Sequence, residues 1–356
     1  MKNPGAEIEP VSTELSARQR SLGTPKWQFW VGLAISLVCL ALALRDVDLN
    51  GVLLTLEQVN AGWLALAVLS VLATFVAKAI RWKLLFHASN RPPFKRAFTI
   101  QAIGMLLNTF APARLGDLAR AYLMGEAEGK SKVYTLGTVV VEKFIDLVLL
   151  FLSLVLLSQI ALPGWLKSSP QELGLILLIG ILVVGILLWK GNALLDWGRP
   201  LVRFLPAAWM EWIASHTREG LTSLDVFTQP WQLFWVIVWS VISWLLGLST
   251  NILVFASLGL HLSLWVALVL FVVLQAGVAL PSSPGRIGVF HYLTLITLMF
   301  FSVGKEAALG CGFILHLVVI GPIGIIGAIC LWWEKVTWKT LADAAKKFGD
   351  LLKRAA

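Results

Sequence analysis

The sequence is poor in charged residues, in cysteine and in the motifs of soluble nucleotide-binding enzymes. Only 14% of its 356 residues are charged and 58% are hydrophobic. Soluble domains average about 25% charged and about 45–50% apolar residues. The sequence contains neither a GxxxxGK[ST] phosphate loop nor a GxGxxG motif after a strand. This composition argues against a soluble enzyme and predicts an integral membrane protein.

The few cysteines and histidines give no sign of a metal site or a disulfide. Cys39, Cys311 and Cys330 all lie inside apolar runs without CxxC spacing, which is typical of small buried hydrophobic residues. His291 and His316 lie on apolar faces, and neither has a second ligand-type residue at a useful spacing. We expect both histidines to be hydrogen-bonded core residues, with no metal and no cofactor.

The net charge of +9 is distributed in a way that indicates membrane topology rather than nucleic-acid binding. Twenty-one lysines and arginines fall in segments on one side of a multi-pass chain, and three, Arg45, Lys167 and Lys305, fall on the other. Positive residues concentrate on the cytoplasmic side of membrane proteins. The count predicts a multi-pass protein of the cell (inner) membrane with both termini in the cytoplasm.

Hydropathy predicts six complete transmembrane helices, at Trp27–Leu44, Gly62–Phe86, Val133–Leu157, Leu173–Trp189, Trp231–Leu258 and Ala307–Trp333. A disordered cytoplasmic tail (1–26) precedes the transmembrane domain (27–333), and a basic cytoplasmic tail (334–356) comes after it. The domain contains one sizeable polar insert (190–230), whose pattern predicts an amphipathic helix on the cytoplasmic membrane surface.

Two further pairs of short apolar segments predict re-entrant helical hairpins. Phe94–Phe110 reaches roughly 25 Å at about 1.5 Å per residue, too little to cross the membrane and hold a charged loop outside it. With Leu115–Met124 it predicts the first hairpin. Leu264–Leu280 and Val289–Phe301 predict the second hairpin, around a PSSPGRIG loop.

The two hairpin loops carry the same motif. Pro112-Ala-Arg-Leu-Gly116 returns as Pro284-Gly-Arg-Ile-Gly288, so Pro112, Gly116, Pro284 and Gly288 are the predicted turn residues. The uneven distribution of lysines and arginines between the two sides holds only if the two hairpins enter the membrane from opposite sides. This arrangement is the pattern of an inverted-topology repeat. The predicted fold is an all-α polytopic membrane protein with such a repeat, about six full transmembrane helices and two re-entrant helical hairpins. The alternative is eight or more ordinary spans with proline kinks.

Arginines at these loops predict an anion-binding site at membrane depth. Arg114 and Arg286 occupy corresponding positions in the two motifs, and Arg120 lies six positions after Arg114. Each loop precedes a new helix, and a helix N-terminus beside an arginine suits a phosphate group. The structural alternative is that each arginine ties its hairpin to a carboxylate, for example Arg114 to Glu142.

The carboxylates Glu142 and Asp146 lie four positions apart on one face of a predicted helix. We expect Lys143 to form an ion pair with Asp146. Glu142 would then pair with one of the motif arginines. Glu142, Asp146 and Asn108 are assigned to substrate binding, the carboxylates as counter-charges for a cationic headgroup or as proton-coupling groups. A buried network that fixes the hairpin is the alternative.

Other polar residues near these segments are assigned structural roles. Asp117 stands in the first turn after the first loop and is expected to cap that helix. Lys78 and Arg81, near the end of the second span, are expected to snorkel towards the interface. Ser282 and Ser283 have no legible histidine and acid partners, so nucleophilic catalysis is not expected.

Four motifs resemble the lysylphosphatidylglycerol synthase transmembrane-region family, whose members are also called flippase-like domain proteins. In order, they are RWKLLF (Arg81–Phe86), NTFAPARLGDLARAYLM (Asn108–Met124), VVVEKFIDLVLL (Val139–Leu150) and PSSPGRIGVFH (Pro281–His291). The resemblance implies the lipid-translocating region without aminoacyl-transferase activity, because only a short tail comes after Glu334. Lys143 stands where the family pattern usually has arginine.

These features predict a non-enzymatic membrane protein that translocates or binds an anionic phospholipid or lipid-linked headgroup. Its partner would be an anionic membrane lipid and not nucleic acid. A second hypothesis is a scaffold or binding subunit for a separate glycosyltransferase or lipid-modifying enzyme. A third is a membrane-embedded enzyme, for which Glu142 is the best candidate catalytic carboxylate.

Overall fold

The computed structural model describes residues 26–111, 115–158, 222–277 and 282–335, and these ranges contain helices and turns but no strand. The α-helices in them are α1 (Lys26–Leu44), α2 (Leu49–Glu57), α3 (Ala61–Leu84), α4 (Phe94–Phe110), α5 (Leu115–Glu128), α6 (Lys132–Ser158), α7 (Pro230–Ser257), α8 (Leu264–Gly277), α9 (Val289–Phe300) and α10 (Lys305–Trp333). Short 3-10 helices lie at Ala88–Asn90, Ser223–Thr228 and Pro284–Arg286. The described chain is therefore all-α, as predicted.

Several of these helices are suited to a membrane. By length and composition, α3, α7 and α10 are able to cross one, and α1 with α2 adds a fourth span if this pair, bent by 86°, is counted as one. The 27-residue α6 is also long enough, but it carries three charged residues near its middle. Several predicted segments lie outside the described residues. They are the span Leu173–Trp189, most of the polar insert, and both tails except for their innermost residues.

Helix ends follow local sequence signals. The Asp48 side chain accepts a hydrogen bond from the N–H of Asn50 and caps α2. Asn60 caps α3 in the same way, through the N–H groups of Gly62 and Trp63. Pro230 is the first residue of α7, a position where a missing N–H removes no helical hydrogen bond.

Helix α3 is central to the packing. It packs most extensively on α7 and also contacts α4, α6 and α10. One large apolar core includes Phe75 of α3 and residues of α4, α7 and α10. A second core contains Trp82 of α3 and Val141 of α6, which are direct neighbours of charged residues in the sequence. The charges of α3 and α6 therefore lie beside an apolar core.

Helices α4 and α5 form a tight antiparallel hairpin. The observed α4 has the predicted bounds, and α5 begins at the predicted Leu115 and ends at Glu128, four residues beyond the predicted Met124. A Cβ atom on Gly116 would overlap the carbonyl oxygen of Gly104, and one on Gly104 would overlap the aliphatic part of Arg120. Only glycine at both positions allows the two backbones to approach this closely.

The described part of the loop between α8 and α9, residues 282–288, packs on α1 and on the end of α4. The Ser283 N–H donates to Ser36 Oγ of α1 at 2.7 Å. Gly288 has a φ of +90°, and a Cβ atom there would overlap the carbonyl oxygen of Ser36. A Cβ atom on Gly285 would lie 3.6 Å from Cε1 of Phe110. This loop therefore meets α4 at its last residue, where the first hairpin turns.

Candidate functional site

Six charged side chains from α3, α5 and α6 form one connected group. Arg81 of α3 donates to both carboxylate oxygens of Asp146, at 2.6 Å (Nη1–Oδ1) and 3.2 Å (Nη2–Oδ2). The same Nη2 lies 3.2 Å from Oε1 of Glu142. We call this group the charge cluster, and its members are Arg81, Asp117, Arg120, Glu142, Lys143 and Asp146.

The second half of the charge cluster joins α5 to α6. Arg120 donates to both oxygens of Glu142, at 2.6 Å (Nη2–Oε2) and 3.3 Å (Nη1–Oε1). Asp117 lies 3.7 Å from Arg120 Nη1. The Lys143 ammonium lies 3.7 Å from Glu142 Oε1 and 3.9 Å from Asp117 Oδ1. One carboxylate, Glu142, thus contacts arginines from two other helices and joins all three.

The charge cluster has a closed centre and an accessible edge. The side chains of Arg81, Arg120 and Glu142 are at most 2% exposed. Those of Asp146 and Lys143 are 26% and 42% exposed. Removing one partner of a buried ion pair typically costs about 3–5 kcal/mol, because the other charge is left uncompensated. The centre is therefore strongly constrained, whereas Asp146 and Lys143 at the edge are only partly buried.

Tryptophan side chains contact two members of the charge cluster, Arg120 and Asp146. The Arg120 guanidinium lies 4.2 Å from the centre of the Trp82 ring, a cation–π contact. Trp82 Nε1 in turn donates to Thr138 Oγ1 at 3.1 Å, which fixes the ring between α3 and α6. A second tryptophan, Trp244 of α7, lies with its Nε1 3.5 Å from Asp146 Oδ1. These indoles supply apolar surface around the charges while directing their N–H groups at oxygen atoms.

Hydrogen-bonding capacity remains at the centre of the charge cluster. Asn108 of α4 donates through Nδ2 to Asp117 Oδ1 at 3.0 Å. Its Oδ1 is buried and has no hydrogen-bond partner within the described part of the chain. The same is true of Nε of Arg81 and of Arg120. Because buried polar groups normally find a partner, these three atoms are unused hydrogen-bonding capacity in and beside the charge cluster.

Two predictions about these residues are wrong. Lys143 does not pair with Asp146, because the planar fork of Arg81 occupies both oxygens of that carboxylate and Lys143 faces Asp117 and Glu142 instead. Arg81 does not snorkel, because the carboxylates of α6 offer it charge-assisted hydrogen bonds within reach. The sequence signal for Arg81 was its place at the start of the RWKLLF motif.

The remaining predicted site residues divide between the two loops. Asp117 stands in the first turn of α5, as predicted, and accepts from Asn108. Arg286 lies in the second loop beside Gly285, with a φ of +59°. Pro112 and Arg114 lie outside the described residues. Gly116 packs against Gly104, and Pro284 and Gly288 bracket the second turn.

Two histidines hold the second loop to the helices around it. Nε2 of His316 on α10 lies 2.7 Å from the carbonyl oxygen of Gly285. Nδ1 of His291 on α9 accepts from the N–H of Gly288 at 3.4 Å, and the two imidazole centres are 4.8 Å apart. Both are hydrogen-bonded residues of the packed bundle. No group of three or more metal-ligand side chains occurs in the ranges that the structure describes.

Comparison with known proteins finds similarity over most of the chain. The family model described as "Lysylphosphatidylglycerol synthase TM region" matches residues 29–327. "UPF0104 membrane protein MJ1078" of Methanocaldococcus jannaschii is 26% identical over 233 residues, which cover 64% of this chain and 94% of the relative. "UPF0104 membrane protein MJ1595" of the same organism is 22% identical over 315 residues, which cover 84% of this chain and 93% of the relative.

Proposed function

The chain belongs to the lysylphosphatidylglycerol synthase transmembrane-region family, and we propose that it binds an anionic phospholipid or lipid-linked headgroup within the bilayer and moves it between leaflets. The charge cluster is the observation that carries this proposal. Charged side chains inside a membrane are costly and mark substrate pathways or proton relays. A cluster with a closed centre and an accessible edge suits a headgroup that must bind and leave.

The proposed architecture has two re-entrant hairpins, α4–α5 and α8–α9, that enter an inner membrane from opposite sides among about six full spans, with both termini in the cytoplasm. Its support is the shortness of α4, of 17 residues, and the contact between Gly285 and Phe110, which brings the second loop to the end of α4. Transporters with inverted repeats place their substrate site between the repeats, near the middle of the bilayer.

In this proposal the two motif arginines, Arg114 and Arg286, receive the headgroup phosphate at the hairpin loops. Arg120 has both terminal nitrogens on Glu142, so a phosphate reaches it only by exchanging with that carboxylate. Glu142 and Asp146 thereby act as a gate: they hold the arginines when the site is empty and release them to the substrate. Asn108 positions Asp117 at the start of α5.

The part of the family that this chain matches is a membrane region, and we propose no catalytic step for it. The charge cluster would stabilise a bound headgroup by electrostatic exchange alone. A scaffold role for a separate transferase shares the binding step but would deliver the lipid to that enzyme instead of to the other leaflet. Lipid binding without leaflet exchange, together with co-purification of a transferase, would favour the scaffold role over translocation.

The test is leaflet exchange in vesicles that contain the purified full-length protein and a labelled phosphatidylglycerol. We expect label to cross faster than in protein-free vesicles and Arg114→Ala to slow it. Arg45→Ala is the matched control, because Arg45 is 75% exposed and pairs only with the neighbouring Asp46 within the described ranges. Wild-type protein that neither exchanges nor binds phosphatidylglycerol would contradict the proposal.

A further inference from the structure

Lys78 of α3 lies beside the charge cluster without being part of it. It precedes Arg81 by three positions, which places both side chains on the same face of the helix. The charges that act on Lys78 are those of Asp146, Arg81, Lys143 and Glu142. Yet Lys78 forms neither an ion pair nor a hydrogen bond with any residue that the structure describes.

Charge balance makes this lysine unusual. The charge cluster contains the three cations Arg81, Arg120 and Lys143, and its three carboxylates balance them. Lys78 adds one positive charge to a neighbourhood that is already neutral. Because an uncompensated ammonium group in a membrane-spanning helix is costly, a nearby anion would stabilise it strongly.

The Lys78 side chain is partly exposed, as is that of Asp146, whereas that of Arg81 is fully buried. Helix α6 meets α3 and α7 at only a few positions, although α3 and α7 pack along much of their length. Lys78 takes no part in the pairs of Glu142, so an anion that contacts Lys78 breaks none of them.

We infer that Lys78 contacts the phosphate of an anionic lipid while the buried arginines of the charge cluster remain paired with their carboxylates. This inference rests on the proposed function and adds to it a phosphate-contacting residue outside the hairpin loops. An ammonium group is a compact point charge that binds phosphate oxygens without needing a fixed planar geometry. The buried arginines keep their carboxylates at this stage, and Lys78 supplies the charge that attracts the headgroup.

The experiment measures binding of short-chain phosphatidylglycerol to the purified full-length protein in detergent by titration calorimetry. We expect Lys78→Gln to weaken binding about tenfold or more, as for loss of a charge-assisted hydrogen bond. Lys78→Arg should stay within about threefold of the wild type, because it retains the charge. Lys83→Gln is the matched control, a partly buried lysine of the same helix near its end, and should leave binding unchanged.

Two further titrations identify the source of the phosphate. Diacylglycerol with the same chains should bind weakly to the wild type and equally to Lys78→Gln. Inorganic phosphate should bind more weakly than the lipid; equal affinity would overturn the lipid assignment. Wild-type binding of phosphatidylglycerol that Lys78→Gln leaves intact would overturn the inference while leaving the proposed function standing. Failure of the wild type to bind any phosphate-bearing lipid would overturn both.

Discussion

Arg120 and Glu142 form a bidentate ion pair inside the helix bundle, with Nη2–Oε2 at 2.6 Å and Nη1–Oε1 at 3.3 Å. The same carboxylate lies 3.2 Å from Arg81 of α3. Loss of Glu142 would remove a carboxylate from two buried guanidinium groups at once, leaving Arg81 with Asp146 and Arg120 with only the more distant Asp117, whereas loss of either arginine leaves Glu142 with the other. This asymmetry makes Glu142 the most informative single position in the charge cluster.

We predict that Glu142→Ala lowers the free energy of unfolding by about 3–5 kcal/mol, the range for breaking a buried ion pair. Thermal unfolding in detergent, monitored by tryptophan fluorescence, would measure it. Lys143→Ala is the control, because its side chain is 42% exposed and its nearest carboxylate oxygens are 3.7 and 3.9 Å away. Exposed pairs contribute about 0–1 kcal/mol. Equal effects at the two positions would mean that the centre of the cluster is hydrated and loosely held.

The fork of Arg81 leads to a second prediction. Its two terminal nitrogens bond both oxygens of Asp146, and a lysine offers a single point charge instead. Arg81→Lys should cost about 1.5–3 kcal/mol of stability, which is the contribution of hydrogen bonds to charged groups. Arg45→Lys, at a position 75% exposed, should cost almost nothing. An Arg81→Lys protein as stable as the wild type would show that charge alone, without the bidentate geometry, is sufficient.

The features of this site that depend on a few neighbouring residues were predictable from the sequence. The apolar run of α4, the break after it and the start of α5 at Leu115 were all predicted because helix breakers and hydropathy act over a few residues. The spacing of Glu142 and Asp146 likewise placed both on one face of α6. The family was predicted from four motifs and is confirmed by the match over residues 29–327.

Pairings that depend on packing were not predictable in the same way. Arg81 and Asp146 are 65 positions apart, so no local rule connects them, and the local rule chose Lys143 instead. Gly104 was not singled out at all, because its significance appears only when α5 packs on α4. The orientation of α3 against α6 decides both Arg81 pairings, and it depends on the shapes of apolar side chains along the whole helices.

The contact between α4 and α5 gives a third prediction. Alanine should destabilise the protein at a glycine in this contact and stabilise it at a glycine outside it. Gly116→Ala should destabilise the protein by about 1–3 kcal/mol, because its Cβ would overlap the Gly104 carbonyl oxygen and the Asn108 side chain. Gly324→Ala in α10 meets only Phe110 Cε2, at 4.0 Å, and should stabilise by up to about 1 kcal/mol through helix propensity. Unfolding in detergent would measure both. A stabilising Gly116→Ala would contradict the close approach of the helices.

The second loop offers a fourth prediction that separates backbone strain from overlap. Gly288 and Gly259 both have positive φ, at +90° and +66°, but only Gly288 is crowded, by the Ser36 carbonyl oxygen of α1. Gly259→Ala should cost about 1–2 kcal/mol for the left-handed conformation alone. Gly288→Ala should cost about 1–3 kcal/mol more, because α1 must also move. Unfolding in detergent compares the two variants, and similar losses at both positions would indicate that the loop does not pack closely on α1.

The hydrogen bond from Asn108 Nδ2 to Asp117 Oδ1, at 3.0 Å, gives a fifth prediction that a substitution at each end can test. Asn108→Asp would place two carboxylate groups at this distance from each other and should destabilise the hairpin by more than Asn108→Ala, which only removes the amide donor. Adding Asp117→Asn to Asn108→Asp restores one amide and one carboxylate with their places exchanged. The double variant should recover at least about 1 kcal/mol relative to Asn108→Asp, as expected for residues in direct contact.

The controls for this exchange lie in the same chain. Asn60→Asp replaces an exposed N-cap whose side chain accepts bonds from Gly62 and Trp63, and an aspartate accepts them equally well, so stability should not change. Asp117→Asn alone should be costly, because Arg120 and Lys143 lose a carboxylate at 3.7 and 3.9 Å. Recovery in the double variant, measured by unfolding in detergent, therefore reports the contact itself. If the two substitutions are simply additive, α4 and α5 do not meet at these residues, and the hairpin that presents Arg120 to Glu142 must be held by other contacts.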